Sequence, residues 1–163
     1  MLGTFGVGKT SLVNRFVNDT FDEKYLSTIG VKVSQKTLEP AGNINDSVKF
    51  ILWDIAHIEK INSVTQSYFR GAHAGIFVID VSRSETMKQI DPIVSAFRDV
   101  NPGSVVAFVG NKVDMIEEEK IDMEQYLQLE KTYNTFFTLT SAKTGANVES
   151  LFRNLAELII KAD

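Results

Sequence analysis

The stretch that decides the fold is Gly3-Thr4-Phe5-Gly6-Val7-Gly8-Lys9-Thr10, near the start of the sequence. It matches G-x-x-x-x-G-K-[ST], the phosphate-binding P-loop motif. Glycines let the backbone turn its N–H groups inward, where they form an anion-binding nest at the start of a helix. Lys9 can then reach the β and γ phosphates of a nucleotide, and the Thr10 hydroxyl can coordinate Mg²⁺. Taken alone, the stretch is also compatible with a glycine-rich turn that holds a chance lysine.

Composition limits the partners that the protein can have. The 163 residues carry a formal net charge of −4 and include no cysteine. The sequence therefore contains no disulfide, no thiolate metal ligand and no prenyl or palmitoyl membrane anchor. The acidic balance and the lack of a basic run argue against nucleic acid as a partner and against a polybasic membrane patch. We expect one domain over residues 1–163, working in a reducing, cytoplasmic setting.

Hydrophobic periodicity predicts strands that alternate with helices. The predicted strands are 31–38, 48–54, 74–81, 105–110 and 136–140. The predicted helices are 9–18, 66–70, one through 87–97, 121–133, and a last helix for which Asn147 is the expected N-cap. Pro92 leaves two interpretations of the helix through 87–97. Either the helix is kinked there, or it begins at Pro92 with Asp91 as its cap.

The run Ala74 to Val81 is apolar almost throughout, which is typical of a strand buried on both faces of a parallel sheet. Strands that alternate with helices predict an α/β fold with helices on both faces of a mostly parallel sheet. Ligands of such sheets bind at the carboxyl ends of the strands. The P-loop and the two motifs described next are expected at that edge.

Two further motifs follow predicted strands: Asn111-Lys112-Val113-Asp114 and Ser141-Ala142-Lys143. A carboxylate at Asp114 can accept both the ring N–H and the exocyclic amine of guanine, whereas adenine has no matching pair of donors. The Lys112 stem can lie across the base, and Asn111 can tie this loop to the P-loop. Each motif alone is compatible with an ordinary polar loop. Their order and their places behind strands favour a guanine-nucleotide site.

With these motifs in place, the chain resembles the Ras-superfamily small GTPases over essentially its whole length, and most of all the Rab group. Tyr68-Phe69-Arg70-Gly71-Ala72-His73 is similar to the Rab sequence Y-Y-R-G-A-H. The run 27–31 resembles the first switch, and the run 50–54 resembles the strand before the second switch. The resemblance implies a three-layer P-loop G domain with a mostly parallel six-stranded sheet. It also implies a switch that depends on GTP, GDP and Mg²⁺, of the kind used in vesicle trafficking.

The same resemblance implies roles for individual residues. Thr28 would coordinate Mg²⁺ and bond the γ phosphate, and Asp54 would hold Mg²⁺ through water. Phe21 would pack edge-on against the guanine, and the Ala142 N–H would bond its carbonyl oxygen. The implied catalytic residues are Lys9 and Thr28, and the implied metal ligands are Thr10, Thr28 and Asp54. The implied nucleotide-binding residues are Gly3, Gly6, Val7, Gly8, Lys9, Thr10, Ser11, Phe21, Thr28, Asn111, Lys112, Asp114, Ser141, Ala142 and Lys143. Effector and regulatory proteins would bind at about residues 24–70.

The second switch departs from the family pattern W-D-T-A-G-Q-E, because it reads W-D-I-A-H-I-E over residues 53–59. His57 replaces the family glycine whose N–H senses the γ phosphate. Ile58 replaces the glutamine that positions the attacking water. Phe5 stands where the family has a small residue that faces the γ phosphate, and its ring could crowd the space that an arginine finger needs. These departures predict that GTP is bound but hydrolysed slowly, because phosphoryl transfer depends on positioning and charge stabilisation.

Three other interpretations stay open at this point. The chain could be a non-hydrolysing interaction module that holds its nucleotide permanently. His57 could replace the missing glutamine as the group that orients water, although it comes one residue early. An ATPase is the weakest interpretation, because Asp114 selects guanine.

The two ends of the sequence raise separate expectations. Only Met1 and Leu2 precede the P-loop, where the family has a full first strand in the middle of the sheet. We expect that the polypeptide extends upstream or that another chain supplies this strand, because its loss would expose two strand edges. The last helix should end near Asp163. Rab proteins normally continue into a prenylated tail, so membrane association would depend on a tail outside this sequence.

Overall fold

The computed structural model describes residues 1–24, 27–58 and 61–162. Its strands are β1 (Val31–Leu38), β2 (Val48–Ile55), β3 (Ala74–Asp80), β4 (Val105–Asn111) and β5 (Phe137–Thr140). Its helices are α1 (Lys9–Asn18), α2 (Ser63–Ser67), α3 (Ser84–Lys88), α4 (Ile90–Val100), α5 (Met123–Tyr133) and α6 (Val148–Ala162). Short 3₁₀ turns cover Val113–Met115 and Glu118–Lys120. Within the described ranges, no helix combines the length and the apolar character needed to span a membrane.

β3, β4 and β5 form a parallel sheet in that order, and β1 and β2 form an antiparallel hairpin. The chain start lies between these two units. The Leu2 N–H donates to Ile76 O, and the Val78 N–H donates to Leu2 O, both at 2.8 Å. The Met1 ammonium donates to Trp53 O at 2.7 Å. The described residues thus form five strands, and Leu2 makes an isolated parallel bridge with Phe77 at the position where the resemblance implies a first strand.

The sheet is covered on both faces, as the predicted α/β architecture requires. Alternate residues of a strand point to opposite faces. Ile76 and Val78 therefore belong to one core cluster, while Phe77 and Ile79 belong to the other. In the first cluster the rings of Phe16 in α1 and Phe152 in α6 stack with centroids 3.7 Å apart. In the second, Phe97 of α4 packs on Phe77. These two cores hold the carboxyl ends of β3 to β5 in place.

Two helix predictions were wrong in their boundaries. α2 spans Ser63–Ser67 rather than 66–70, because Asn62 starts the helix earlier: its Oδ1 accepts from the N–H groups of Val64 and Thr65, both at 3.0 Å. The helix through 87–97 is split into α3 and α4 at Gln89, so neither interpretation of Pro92 holds. Pro92 is the third residue of α4, where an N–H has no partner within the helix. The break three residues earlier avoids a clash between the proline ring and the carbonyl of Lys88.

Other boundaries differ from prediction by one or two residues, at the ends of β2 to β4 and at the starts of α5 and β5. Asn147 does precede α6. It has a positive φ of 56°. Its side-chain amide donates to Leu139 O at 2.9 Å, so it anchors the α6 start to β5.

Candidate functional site

A cavity of about 800 Å³ opens at the carboxyl ends of the parallel strands. The P-loop and the start of α1 form one wall, and the loops after β4 and β5 form another. Twelve of the predicted nucleotide-binding residues line it: Gly6, Gly8, Lys9, Thr10, Ser11, Phe21, Thr28, Asn111, Lys112, Asp114, Ala142 and Lys143. The predicted residues Gly3, Val7, Ser141 and Asp54 lie behind this lining and contact it, as described below. The cavity is in the size range of small-molecule sites.

Two P-loop glycines are required by close contacts. A Cβ at Gly8 would lie 2.3 Å from Asn111 Nδ2, and Gly8 has a φ of +97°. A Cβ at Gly3 would lie 2.4 Å from Val78 O. Neither space can hold a side chain. The loop therefore lies tightly on β3 and β4 and directs the N-terminus of α1 into the cavity.

Lys9 is buried, and its ammonium bridges the P-loop. Its Nζ donates to Gly3 O at 2.9 Å and to Thr4 O at 3.1 Å. Burial lowers the pKa of Lys9 to about 8, and the negative charge of Asp54 opposes that shift. A partly desolvated ammonium of this kind is a strong partner for an anionic ligand.

Three oxygens from distant parts of the chain meet next to Lys9. Thr10 Oγ1 donates to Asp54 Oδ2 at 2.5 Å and lies 2.6 Å from Thr28 Oγ1. Asp54 is fully buried, and its second oxygen, Oδ1, has no hydrogen-bond partner among the described residues. A buried carboxylate oxygen without a partner is costly unless a cation is nearby. Two hydroxyls and a carboxylate are the hard oxygen ligands that Mg²⁺ takes, so this donor set fits the predicted metal.

Asn111 joins three elements behind the cavity. Its Nδ2 donates to Val7 O in the P-loop at 3.0 Å. Its Oδ1 accepts from the Thr140 hydroxyl at 3.3 Å and from the Ala142 N–H at 3.1 Å. Asn111 thus ties the P-loop to β5. Its contact with the P-loop was predicted from the sequence. The Ala142 N–H, which the resemblance assigned to the guanine carbonyl, is directed to Asn111 in this structure.

Asp114 is oriented by its neighbour across the cavity edge. The Ser141 hydroxyl donates to Asp114 Oδ1 at 2.5 Å, and Ser141 is fully buried. Lys112 adopts a positive φ of 71° just before the 3₁₀ turn that carries Asp114. This turn places the carboxylate on the cavity wall. A fixed acceptor there can read a pair of donors on a planar base.

Arg15 is a residue that the sequence analysis missed. It lies on α1, yet its Nε donates to Ala142 O at 2.9 Å and its Nη2 to Lys143 O at 2.7 Å. These two bonds fix the loop 141–143 against α1. No sequence signal indicated this role, because an arginine on the polar side of an amphipathic helix normally faces solvent.

Comparison with known proteins identifies the family. A family model described as the Ras family matches residues 1–161. The chain belongs to the Ras family. Ras-related protein RABF2a of Arabidopsis thaliana is 38% identical over 159 residues, covering 96% of this chain and 78% of that protein. Ras-related protein Rab5A of Oryza sativa subsp. japonica is 36% identical over 163 residues, covering 99% of this chain and 78% of that protein. Ras-related protein Rab-13 of Canis lupus familiaris is 33% identical over 161 residues, covering 98% and 78%. These names confirm the resemblance to the Rab group.

The residues that depart from the Ras-family pattern lie together at one end of the cavity. The rings of Phe5 and His57 meet edge to face, with centroids 5.2 Å apart and an interplanar angle of 80°. Both residues line the cavity. Ile58 is half-buried and packs against the second core cluster. The end of the cavity near the P-loop tip therefore carries two aromatic rings where the family pattern has a small residue and a glycine, while Ile58, which replaces the glutamine, is not part of the cavity lining.

Proposed function

We propose that this Ras-family chain binds GTP and GDP together with Mg²⁺ and works as a Rab-like switch whose intrinsic GTP hydrolysis is slow. The observation that carries the proposal is the contrast within one cavity. The end that would hold the guanine base, here called the base end, contains the connected hydrogen-bonding groups of Asn111, Asp114 and Ser141. The end near Phe5 and His57 holds two aromatic rings, and the Ile58 side chain packs on the core instead of lining the cavity.

The base end supports selectivity for guanine. Asp114 is oriented by Ser141, and the loop behind it is tied to the P-loop through Asn111. A carboxylate accepts two hydrogen bonds from guanine, and an adenine base would leave that charge without matching donors. Phe21 lines the cavity and packs against the first core cluster, which suits a ring that contacts the base.

Thr10, Thr28 and Asp54 are the residues that would hold Mg²⁺. A bound Mg²⁺ supplies charge neutralisation for the phosphates. Lys9 and the α1 N-terminus would add positive charge from the protein side. Thr28 belongs to the loop that precedes β1, so a ligand that orders Thr28 also orders that loop. This linkage is the physical basis that we propose for the switch.

Slow hydrolysis follows from what the second switch lacks. An attacking water must be held in line with the γ phosphate by a group that donates or accepts a hydrogen bond. Ile58 can do neither, and it packs on the core rather than lining the cavity. His57 has a ring that can hydrogen-bond, but the ring contacts Phe5 edge to face. If His57 orients water, His57→Ala should lower the hydrolysis rate; an unchanged rate removes that idea.

The hairpin presents a surface for protein partners. Val33 and Trp53 are direct cross-strand neighbours, and they are 53% and 45% exposed. Ile51 lies two residues before Trp53 on β2 and is 63% exposed, and Ile29, two residues before β1, is 94% exposed. Contiguous exposed apolar groups indicate an interaction site. We propose that effector and regulatory proteins bind here, within about residues 24–70, a range in which residues 25, 26, 59 and 60 lie outside the described part of the chain.

A second candidate is a non-hydrolysing module that stays bound to GTP. The Phe5–His57 contact favours it, because this contact joins the P-loop to the second switch through protein atoms alone. In such a module the second switch would keep its place whichever nucleotide is bound.

The test begins with the nucleotide in the purified protein, identified by denaturation and ion-pair chromatography. A single-turnover time course with GTP follows. A slow turnover to GDP supports the slow switch, and GTP with no product over many hours supports the module. Turnover at the rate of an ordinary Rab-like protein would overturn both. A protein that binds neither GTP nor GDP would refute nucleotide binding itself.

A further inference from the structure

Asp80 is a buried carboxylate at the carboxyl end of β3, and it has no role in the function proposed above. It is 1% exposed. Lys112 Nζ lies 2.7 Å from its Oδ2, Arg83 Nε donates to the same oxygen at 2.9 Å, and the Ser82 hydroxyl donates to Oδ1 at 2.6 Å. Burial alone would raise the pKa of Asp80, but the hydrogen bonds from Lys112, Ser82 and Arg83 hold it below its ordinary value. The site thus contains a fixed negative charge with two cationic partners.

Of the two cations, one belongs to a loop that forms the cavity and the other donates a hydrogen bond to a second such loop. Lys112 belongs to the loop that carries Asp114. Arg83 uses a second nitrogen, Nη2, to donate to Phe5 O in the P-loop at 2.9 Å. A continuous chain of bonds therefore runs from the P-loop through Arg83 and Asp80 to the base-reading loop.

This chain of bonds complements the one through Asn111. Asn111 holds the P-loop at Val7 O, and Arg83 holds it at Phe5 O. The residue between these two points is Gly6, which has a φ of +72°. A glycine at positive φ has wide conformational freedom, so the loop tip needs a restraint on each side to keep its N–H groups directed inward. Arg83 supplies the restraint on one side.

We propose that Arg83 is a positioning residue for phosphate binding, which fixes the P-loop backbone at Phe5 by anchoring it to Asp80. The inference rests on the proposed binding of guanine nucleotides. Arg83 is not among the residues that line the cavity, and its Nε and Nη2 already bond Asp80 and Phe5. Its role is therefore to place the loop rather than to touch the phosphates.

The test separates phosphate binding from base binding. Affinities for GDP, GMP and IDP are measured by competition on the full chain. The GDP/GMP ratio reports what the P-loop adds, because GMP lacks the β phosphate. The GDP/IDP ratio reports what Asp114 adds, because inosine lacks the exocyclic amine. For Arg83→Ala we expect the GDP/GMP ratio to fall about tenfold, as for one lost hydrogen bond from a charged donor, with the GDP/IDP ratio unchanged.

Arg153→Ala is the matched control. Arg153 also pairs with a nearby carboxylate, Glu149, and donates to the carbonyl of another element, Glu39 O at 3.2 Å. It does not line the cavity. We expect both of its ratios to equal those of the unmodified chain. If Arg83→Ala matches this control, or if it lowers both ratios equally, the proposal is wrong.

Arg83→Lys tests whether the bridge or the charge is responsible. A lysine keeps a positive charge beside Asp80 but has one terminal nitrogen, so it does not reproduce the fork that joins Asp80 to Phe5. We expect its GDP/GMP ratio to lie between those of Arg83→Ala and the unmodified chain. A GDP/GMP ratio equal to that of the unmodified chain would show that the positive charge alone suffices. It would contradict the proposed bridge from Asp80 to Phe5. These outcomes are all read against an unmodified chain that binds GDP, so they are distinct from a failure of nucleotide binding itself.

Discussion

At the base end of the cavity, Asn111, Asp114 and Ser141 are held by hydrogen bonds that reach from the P-loop to β5. At the opposite end, the rings of Phe5 and His57 meet, and Ile58 turns to the core. The first end depends on directional polar bonds, and the second on apolar packing. Under the proposed function, nucleotide binding and hydrolysis depend on different elements of this fold, so hydrolysis can be weakened while binding is kept.

Asp114→Ala should break the base end and give the largest effect. It removes the acceptor for two donors of guanine and leaves the Ser141 hydroxyl without its partner. We expect GDP affinity to fall about 100-fold or more, since each hydrogen bond to a charged group contributes about 1.5–3 kcal/mol. Titration with GDP measures it. Asp122→Ala, which changes an aspartate at the N-cap of α5, is the control and should bind GDP normally.

Asp54→Asn should weaken the metal site without touching the base end. Asn keeps the shape of the side chain but removes the charge behind Thr10. We expect the Mg²⁺ concentration that slows GDP release to rise about 10- to 100-fold, as for loss of a charged group that would hold Mg²⁺ through water. GDP release at a series of Mg²⁺ concentrations measures it. Asp99→Asn, an exposed position on α4, should leave the curve in place; an unshifted curve for Asp54→Asn would argue against metal at this site.

Arg15→Ala tests how the loop 141–143 is held. Two hydrogen bonds from its guanidinium to Ala142 O and Lys143 O are lost. We expect GDP affinity to fall about tenfold, because the bond to Ala142 is partly buried while the bond to Lys143 is exposed and contributes less. The GDP/GMP ratio should stay the same, since the P-loop is intact. A lower ratio would mean that Arg15 acts on the phosphates as well.

The smallest expected effect concerns the apolar end. A double-mutant cycle with Phe5→Ala and His57→Ala, read from urea unfolding, should give a coupling free energy of about 1 kcal/mol, as for an edge-to-face aromatic pair. A coupling of zero would show that the two rings do not hold the second switch against the P-loop. The coupling free energy thus measures how strongly the contact between the two rings holds the second switch against the P-loop.

The motifs made most of the site predictable, because each is a short run of residues behind a strand or before a helix. The sequence therefore placed Lys9, Thr10 and Asp114 near one another without knowledge of the fold. Arg15 and Arg83 could not be predicted in the same way. Their partners are backbone carbonyls of Ala142 and Phe5, which any sequence would offer, so only the tertiary structure selects them.

The secondary structure, like the site, could be predicted from the sequence only in part. Buried runs such as β3 are decided by their own composition, and their bounds were predicted to within a residue. The bounds of α2 were predicted too late in the chain, because the cap that the Asn62 side chain forms was not part of the prediction. The break at Gln89 depended on the clash that Pro92 makes one turn earlier. Local choices of this kind have similar energies, so the sequence alone does not decide between them.

Under the proposed function, the apolar end, not the base end, limits hydrolysis. The most direct measurement is the single-turnover GTP hydrolysis rate of the unmodified chain beside that of Phe5→Gly/His57→Gly/Ile58→Gln, with GTP affinity measured for both. We expect equal GTP affinity and a rate about 100-fold higher or more in the triple variant, since a group that positions water is restored. Equal rates at equal affinity would contradict it and would show that another group of this chain already orients the water.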